Sequence, residues 1–523
     1  MSLLLVLALA ARAEEPAAAP APPADAPADA PADAPATEPA TAPSAPVAPA
    51  PTPPPGDSRD DVFGAPAGDS RDDIFGAPSG DAPSGEAPAA PTGNRDDDIL
   101  SGADGSRQSA MFDTLDDLEK RVTIGGRMYL RLNATVPEEG EIADITLSNP
   151  NFLDLYVDAR PSDRIRGYVQ ARLSTDLTVA DGDLDSFGNA REPTSILLDQ
   201  LWMNFDIGKR VYVTAGRQRV KWGIGRFWNP TDFLQPARLD PLAFFDERTG
   251  VGLVKVHVPF EKTGTNVYVF ADIEDANSID QVGGAMRVEQ VVGLTEVAVS
   301  ASVGKDRPTR LGAQFSTGIS FFDLKAEASI TRGLTTAFYR GTFDWGPLDD
   351  DGFASFLTLE TPDEYSREDE WVPQVVAGIE IPVGYNDEDS LYIGAEYFYN
   401  DAGYDDASLY PWLLFNNAYT PFYTGKHYAA AYVALPGPGE WDDHTFTVST
   451  IGNLSDKSFT SRLDYSVRAL TFLSVNAYAS ANYGEYGELR FELDVPPILG
   501  VTEEGTKVPA TRSTVGVGAQ ITF

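Results

Sequence analysis

Residues 513–523 read Ser-Thr-Val-Gly-Val-Gly-Ala-Gln-Ile-Thr-Phe. In an extended chain successive side chains point to opposite faces. Val515, Val517, Ala519, Ile521 and Phe523 therefore share one face, and Thr514, Gly516, Gly518, Gln520 and Thr522 share the other. The same alternation recurs upstream. Ile165, Gly167, Val169, Ala171 and Leu173 oppose Arg164, Arg166, Tyr168, Gln170, Arg172 and Ser174. Leu463, Tyr465, Val467 and Ala469 oppose Arg462, Asp464, Ser466 and Arg468. After the first residues, no stretch approaches the roughly 18 apolar residues of a membrane-crossing helix. A chain of this kind that crosses a bilayer must close its strands into a barrel, because open edges would leave backbone polar groups unpaired in hydrocarbon.

A soluble antiparallel sheet alternates in the same way, so the connections have to discriminate. Counting strands from Arg121 gives about 18, with about 16 the other even number the segments allow. Connections at residues 224–248, 334–371, 403–425 and 484–512 are long, whereas those at 261–264, 384–390, 436–440 and 470–473 are short. Long connections on one side and short turns on the other are the habit of transmembrane barrels. The expectation is an all-β fold: a transmembrane antiparallel β-barrel over residues 121–523, with both chain ends on the short-turn side.

Upstream the texture is different. Residues 3–11 are an apolar run, and Ala11-Arg12-Ala13 fits a small-residue cleavage site, so residues 1–13 read as a signal peptide. Residues 14–108 are rich in Pro, Ala and Asp, a composition that cannot bury enough apolar surface to fold. They read as a disordered periplasmic tail, and residues 109–120 as a short helix or lead-in. Inside the tail a repeat stands out: Gly-Asp-Ser-Arg-Asp-Asp-Val-Phe-Gly-Ala-Pro at 56–66 recurs at 68–78 with Ile for Val, and degenerately at 93–100. Each full copy joins an acidic cluster to an apolar pair: Arg59, Asp60, Asp61 and Phe63, then Arg71, Asp72, Asp73 and Phe75. Repetition gives avidity, and the expectation is docking of a periplasmic or peptidoglycan-associated protein; drift in a low-complexity tail is the plainer alternative.

Composition narrows the function. The chain has 39 Lys+Arg against 79 Asp+Glu, a net charge of -40, which disfavours nucleic acid as a partner. It has no cysteine and three histidines, His257, His427 and His444, far apart in sequence. No nucleophile elbow, phosphate loop or zinc-protease motif is present. The expectation is no enzyme and no cofactor. The acidic connection holding Asp344, Asp349, Asp350, Asp351, Asp363, Glu364, Glu368, Asp369 and Glu370 offers oxygens that suit Ca²⁺, although a solvated surface loop accounts for them as well.

The charged faces of the strands supply the candidate pore-lining residues: Arg164, Arg166, Arg172, Arg217, Arg219, Lys221, Arg462, Asp464 and Arg468. A charged ladder in a lumen filters ions or holds an inward loop; the simpler reading is that such pairs merely fill a polar interior. Trp222, Tyr268 and Tyr399 read as interfacial girdle aromatics. The aromatic stretch 404–423 reads as a cap over the barrel or a packed loop.

The closing strand, ending on Phe523, resembles that of Gram-negative outer-membrane barrels, over roughly residues 121–523. The resemblance implies that Phe523 is the assembly signal read by the barrel-assembly machinery, and that the barrel sits in outer-membrane lipid. Residues 216–232, Gly-Arg-Gln-Arg-Val-Lys-Trp-Gly-Ile-Gly-Arg-Phe-Trp-Asn-Pro-Thr-Asp, resemble the "GRQ…WG…NP.D" segment of porin-like families, where it joins a strand to a loop that folds inward. Two functions follow as expectations: a porin-like barrel passing small solutes, with a tail that docks another envelope component, or a non-conducting anchor of a trans-envelope complex for export, adhesion or motility.

Overall fold

The computed structural model describes residues 121–180, 182–183, 191–235, 238, 240–244, 247–343, 361–386, 389–495 and 506–523. The expected signal peptide, tail, repeats and lead-in lie outside the described residues, as do Asp344, Asp349, Asp350 and Asp351.

The main sheet contains nineteen strands, one of them the three-residue Thr146–Ser148, which pairs with the far end of the first strand. The other eighteen close into a ring: β1 (Val122–Pro137), β2 (Pro150–Ser162), β3 (Ile165–Asp176), β4 (Thr194–Ile207), β5 (Val211–Gln218), β6 (Val251–Phe260), β7 (Thr265–Asp272), β8 (Gly283–Val292), β9 (Thr295–Gly304), β10 (Arg307–Ile319), β11 (Phe322–Arg332), β12 (Val372–Gly384), β13 (Ser390–Asn400), β14 (His427–Pro436), β15 (His444–Asn453), β16 (Ser458–Leu470), β17 (Leu473–Gly484) and β18 (Thr511–Thr522). Each strand is antiparallel to the next. β18 returns to β1 with Leu130 opposite Ala519 and Leu132 opposite Val517. Closure continues past the strand: the Phe523 amide donates to Gly126 O at 3.0 Å, and the Gly126 amide donates to Phe523 O at 2.8 Å.

Burial is inverted relative to a water-soluble domain. Leu130, Leu155, Val157, Leu201, Val299, Ile379, Val448, Val515 and Val517 are exposed on the outside, while Asp154, Gln170, Arg172, Gln200, Arg287, Glu327, Glu396 and Asp464 are buried inside. Period two puts the apolar set on the outer surface, which requires a lipid solvent. Outward aromatics pair near the belt's edges: Phe446 with Tyr465 at 5.0 Å between centroids, and Phe459 with Tyr483 at 5.6 Å. Tyr399 lies opposite outward Val375 and joins this set. Trp222 and Tyr268 do not. They are 3 % and 4 % exposed in one buried cluster with Phe233 and Phe270, a correction to the girdle reading, because both belong to the inner side.

The tight turns at 163–164, 208–210, 293–294 and 320–321 lie at one end, with the start of β1 and Phe523; the long connections 177–193, 219–250, 333–371, 401–426 and 485–510 lie at the other. Phe523 therefore shares an end with the start of β1.

Candidate functional site: an inward segment and the lumen it narrows

A long excursion that touches the inner wall runs from Gln218 at the end of β5 to Val251 at the start of β6. Its Val220, Trp222, Phe227, Trp228, Phe233 and Leu234 are buried, which an exposed loop could not achieve. Two residues before the departure, Gly216 lies at φ 124°, where a Cβ would be 2.1 Å from Leu201 O. Only glycine adopts that conformation so close to a neighbouring strand.

The segment packs first near its origin. Trp222 meets Phe270 edge-on at 5.3 Å and Phe233 at 6.0 Å. It then crosses the barrel: Trp228, fully buried, stacks on Phe398 of β13 at 5.4 Å and lies 5.5 Å from Tyr428 of β14. Those are the thirteenth and fourteenth strands of the ring, opposite the fifth and sixth.

Luminal charges hold the segment by its main chain. Glu396 of β13 accepts the amides of Arg226 (2.7 Å), Phe227 (3.1 Å) and Trp228 (2.9 Å). Glu327 of β11 accepts the Ile224 amide (2.9 Å), and the Thr231 amide (2.6 Å) and hydroxyl (2.7 Å). Arg310 donates to Phe233 O (3.0 Å), Arg462 to Leu242 O (2.7 Å) and Arg172 to Glu247 O (3.0 Å). Within the segment, Arg248 pairs with Asp232 at 2.9 Å, and Asp232 accepts the Trp222 amide at 3.2 Å. Hydrogen bonds to charged groups contribute about 1.5–3 kcal/mol each, and buried carboxylates without them are costly.

The residues singled out from sequence are distributed as follows. Arg166 pairs with Asp158 at 2.9 Å, Arg172 with Asp154 at 2.7 Å, Arg219 with Asp199 at 2.7 Å and Arg462 with Asp464 at 2.6 Å. Arg468 pairs at 2.5 Å with Asp443, in the turn before β15. Lys221 lies in the inward segment, because β5 ends at Gln218 and period two no longer applies beyond it. Two residues are corrections. Arg164 sits exposed in the turn between β2 and β3, below the lumen. Arg217 stands opposite outward Leu201; its guanidinium is taken up by Gly250 O and by Glu274 after β7. It left the luminal row because the wall at this point is set by Thr214 and Gln218, on the other face of the strand.

What the segment leaves open is a cavity of about 500 Å³. Its wall is Tyr129, Arg131 and Asn133 of β1 with Arg462 and Tyr478; its other side is Arg238, Asp240, Leu242, Ala243, Phe244, Glu247 and Arg248 of the segment. Phe244 stacks on Tyr129 at 6.4 Å and 12°. Arg131 approaches Glu247 at 3.7 Å. Behind the two tyrosines, β18 presents Gly516 and Gly518; a Cβ there would meet the Tyr478 ring at 2.3 Å and the Tyr129 hydroxyl at 2.7 Å.

Above the lumen the 401–426 connection forms a cap. A short helix, α1 (Tyr410–Phe415), packs Tyr410 and Leu413 with Leu409 and Tyr339. A buried polar knot ties the cap down. Glu488 accepts from Tyr428 (2.5 Å), Asn453 (2.8 Å) and the Thr424 amide (3.2 Å). Asp456 accepts from Tyr410 (3.0 Å), Asn453 (2.8 Å) and the Glu488 amide (2.8 Å). Burial pushes the Glu488 carboxyl up to about 7, with neighbouring Asp456 adding to the shift. The cap meets the segment where Trp228 Nε1 donates to Phe422 O at 3.1 Å. In the acidic connection, Arg367 pairs with Glu370 and Asp401 and Arg332 with Asp369; among the described residues no group of three or more His, Cys, Asp or Glu is placed to hold a metal ion.

Sequence reasoning missed Glu327, Glu396, Arg310, Arg131, Tyr129 and Tyr478. A signal did exist for Glu396: it is the only charged residue in Tyr-Ile-Gly-Ala-Glu-Tyr-Phe-Tyr at 392–399, on the parity opposite Ile393 and Ala395.

Fold and site together define a transmembrane β-barrel of porin-like form, with eighteen strands and a lumen narrowed by an inward connection. No known family model matches the chain, and no curated protein matches it. Among solved structures it is similar to Pseudomonas aeruginosa OpdK, crystallised with vanillate: 10% identity, 76% of this chain and 98% of that one, TM-score 0.45. It is also similar to Acinetobacter baumannii OccAB4 (7% identity, 77% and 98%, TM-score 0.46) and to Pseudomonas putida OprB (10%, 80% and 98%, TM-score 0.36).

Proposed function

We propose that the chain is an outer-membrane channel for small solutes, with the 219–250 segment as its constriction. The observation that supports this reading is the anchoring of that segment across the lumen by Glu327, Glu396, Arg310, Arg462 and Arg172, which leaves a cavity of about 500 Å³ beside β1. Four guanidinium groups and two carboxylates line the cavity, so anions are favoured over cations of equal size. Purified full-length protein in planar bilayers tests the reading. Discrete conductance steps, with a reversal potential shifted toward the chloride potential in a salt gradient, are expected. A protein that inserts as a folded barrel yet gives no steps would sink the channel and favour the non-conducting anchor.

Docking of the tail repeats to a periplasmic or peptidoglycan-associated protein is a separate proposal, supported by the repetition of Arg59-Asp60-Asp61 and Arg71-Asp72-Asp73 beside Phe63 and Phe75. A peptide of residues 56–78 that retains no more envelope protein than its scrambled form would refute it.

A further inference from the structure

We propose that the acidic-apolar repeats Asp60-Asp61-Val62-Phe63 and Asp72-Asp73-Ile74-Phe75 bind in the luminal cavity of their own barrel.

The cavity calls for acceptors. Four of its lining groups are guanidiniums, and only Asp240 and Glu247 oppose them within the lining. Arg131 reaches Glu247 only at 3.7 Å and its side chain is 21 % exposed, so its guanidinium is open to a further acceptor. Arg248 and Arg462 also hold acids outside the lining, Asp232 and Asp464. The cavity also has apolar faces. Phe244 and Tyr129 stack on one another, and Tyr478 is covered on one side by Arg462 at 4.0 Å. A ligand that fits both characters has clustered carboxylates next to an aliphatic and an aromatic group. Carboxylates take bidentate hydrogen bonds from guanidinium, and rings pack on rings. Asp-Asp-Val-Phe and Asp-Asp-Ile-Phe are such ligands, and the chain carries both.

The tether allows the encounter. β1 begins at Val122, at the short-turn end, and Tyr129 lies seven residues along it, about 23 Å into the barrel at 3.3 Å per residue. Forty-six residues separate Phe75 from Val122, an extended reach of more than about 100 Å. Tethering makes the binding intramolecular, at an effective concentration of up to about millimolar. Weak contacts therefore suffice, and a second copy raises occupancy.

The chain's lack of cysteine provides a direct test that does not depend on conduction. In the full chain, Ala243→Cys in the cavity lining is combined with Ala77→Cys beside the second repeat, and separately with Ala34→Cys in the Pro/Ala run. Tether length alone favours Ala77 by about threefold. The expected result is an intrachain disulfide forming at least about tenfold faster with Ala77→Cys. Asp60→Asn, Asp61→Asn, Asp72→Asn and Asp73→Asn together, or about 1 M salt, should bring the rate down to the length-only ratio, because screening acts over about 3 Å there. Equal rates, rates indifferent to the four Asp→Asn changes, or disulfides only between chains would overturn the proposal. Heat-resistant mobility on gels confirms that each variant barrel is folded. Cross-linking in a barrel that does not conduct would leave this inference standing while the channel reading failed.

Discussion

Glu396 is one carboxylate serving three consecutive amides, those of Arg226, Phe227 and Trp228. Its removal leaves three buried donors without an acceptor, at a cost of about 1–3 kcal/mol each. Glu396→Ala should therefore detach the middle of the inward segment, and Glu327→Ala combined with it should free both anchored stretches. Single-channel conductance should rise in the order wild type, single, double variant; an unchanged step size in the double variant would show that the segment does not constrict the path. Glu488 predicts a dependence on pH. Its carboxyl is raised from 4.5 to about 7 in the folded cap. A raised acid stabilises the folded form fully below the unfolded value, and that stability is lost as pH rises through the folded value. The cap should be tightest near pH 4.5 and should loosen by up to about 3 kcal/mol towards pH 7 and above. Hydrogen exchange across 401–426 at several pH values reads this, and Glu488→Gln should flatten the profile. The partly legible residues were the arginines of β3 and β16, where a charge alternates with apolar neighbours. The decisive carboxylates stayed hidden, because a sequence shows parity but not that a distant connection will bring amides to a given Glu.

At the scale of elements, the strands were the most readable feature, since period two holds along most of the ladders from β1 to β18. Their ends were not. β5 stops at Gln218, which left Lys221 beyond the strand, and Arg217 stands on the outward face opposite Leu201. A bulge between Gln170 and Ala171 on the β3–β4 ladder likewise brings Asp199 inside, fully buried against Arg219. The path of the inward segment was not legible in the sequence; it depends on Trp228 finding Phe398 and Tyr428 on the far wall. Trp228→Ala should cost the segment about 3–5 kcal/mol of packing, seen as noisier current and new protease cuts within 219–250. Closure makes a second prediction. A Cβ on Gly126 would lie 2.6 Å from the Phe523 ring. Gly126→Val should displace that ring, at about 1–3 kcal/mol, and lower the fraction of heat-resistant barrel on unboiled gels, whereas Gly384→Ala, with open space at its Cβ, should not.

For the molecule as a whole, the outside is a lipid surface and the inside is a charge lattice, a division carried by the alternation together with closure of the ring. Its function depends on what the lattice grips. Glu396, Glu327, Arg310, Arg462 and Arg172 all engage main-chain amides or carbonyls of the segment. Peptide groups are common to every residue type except for the missing amide of proline. The wall can thus hold the segment in place while side chains that face the opening, such as Arg238, Asp240, Ala243 and Glu247, are exchanged. Descendants of this chain could alter the lining of the opening one substitution at a time without first rebuilding the barrel, and a designer could do the same.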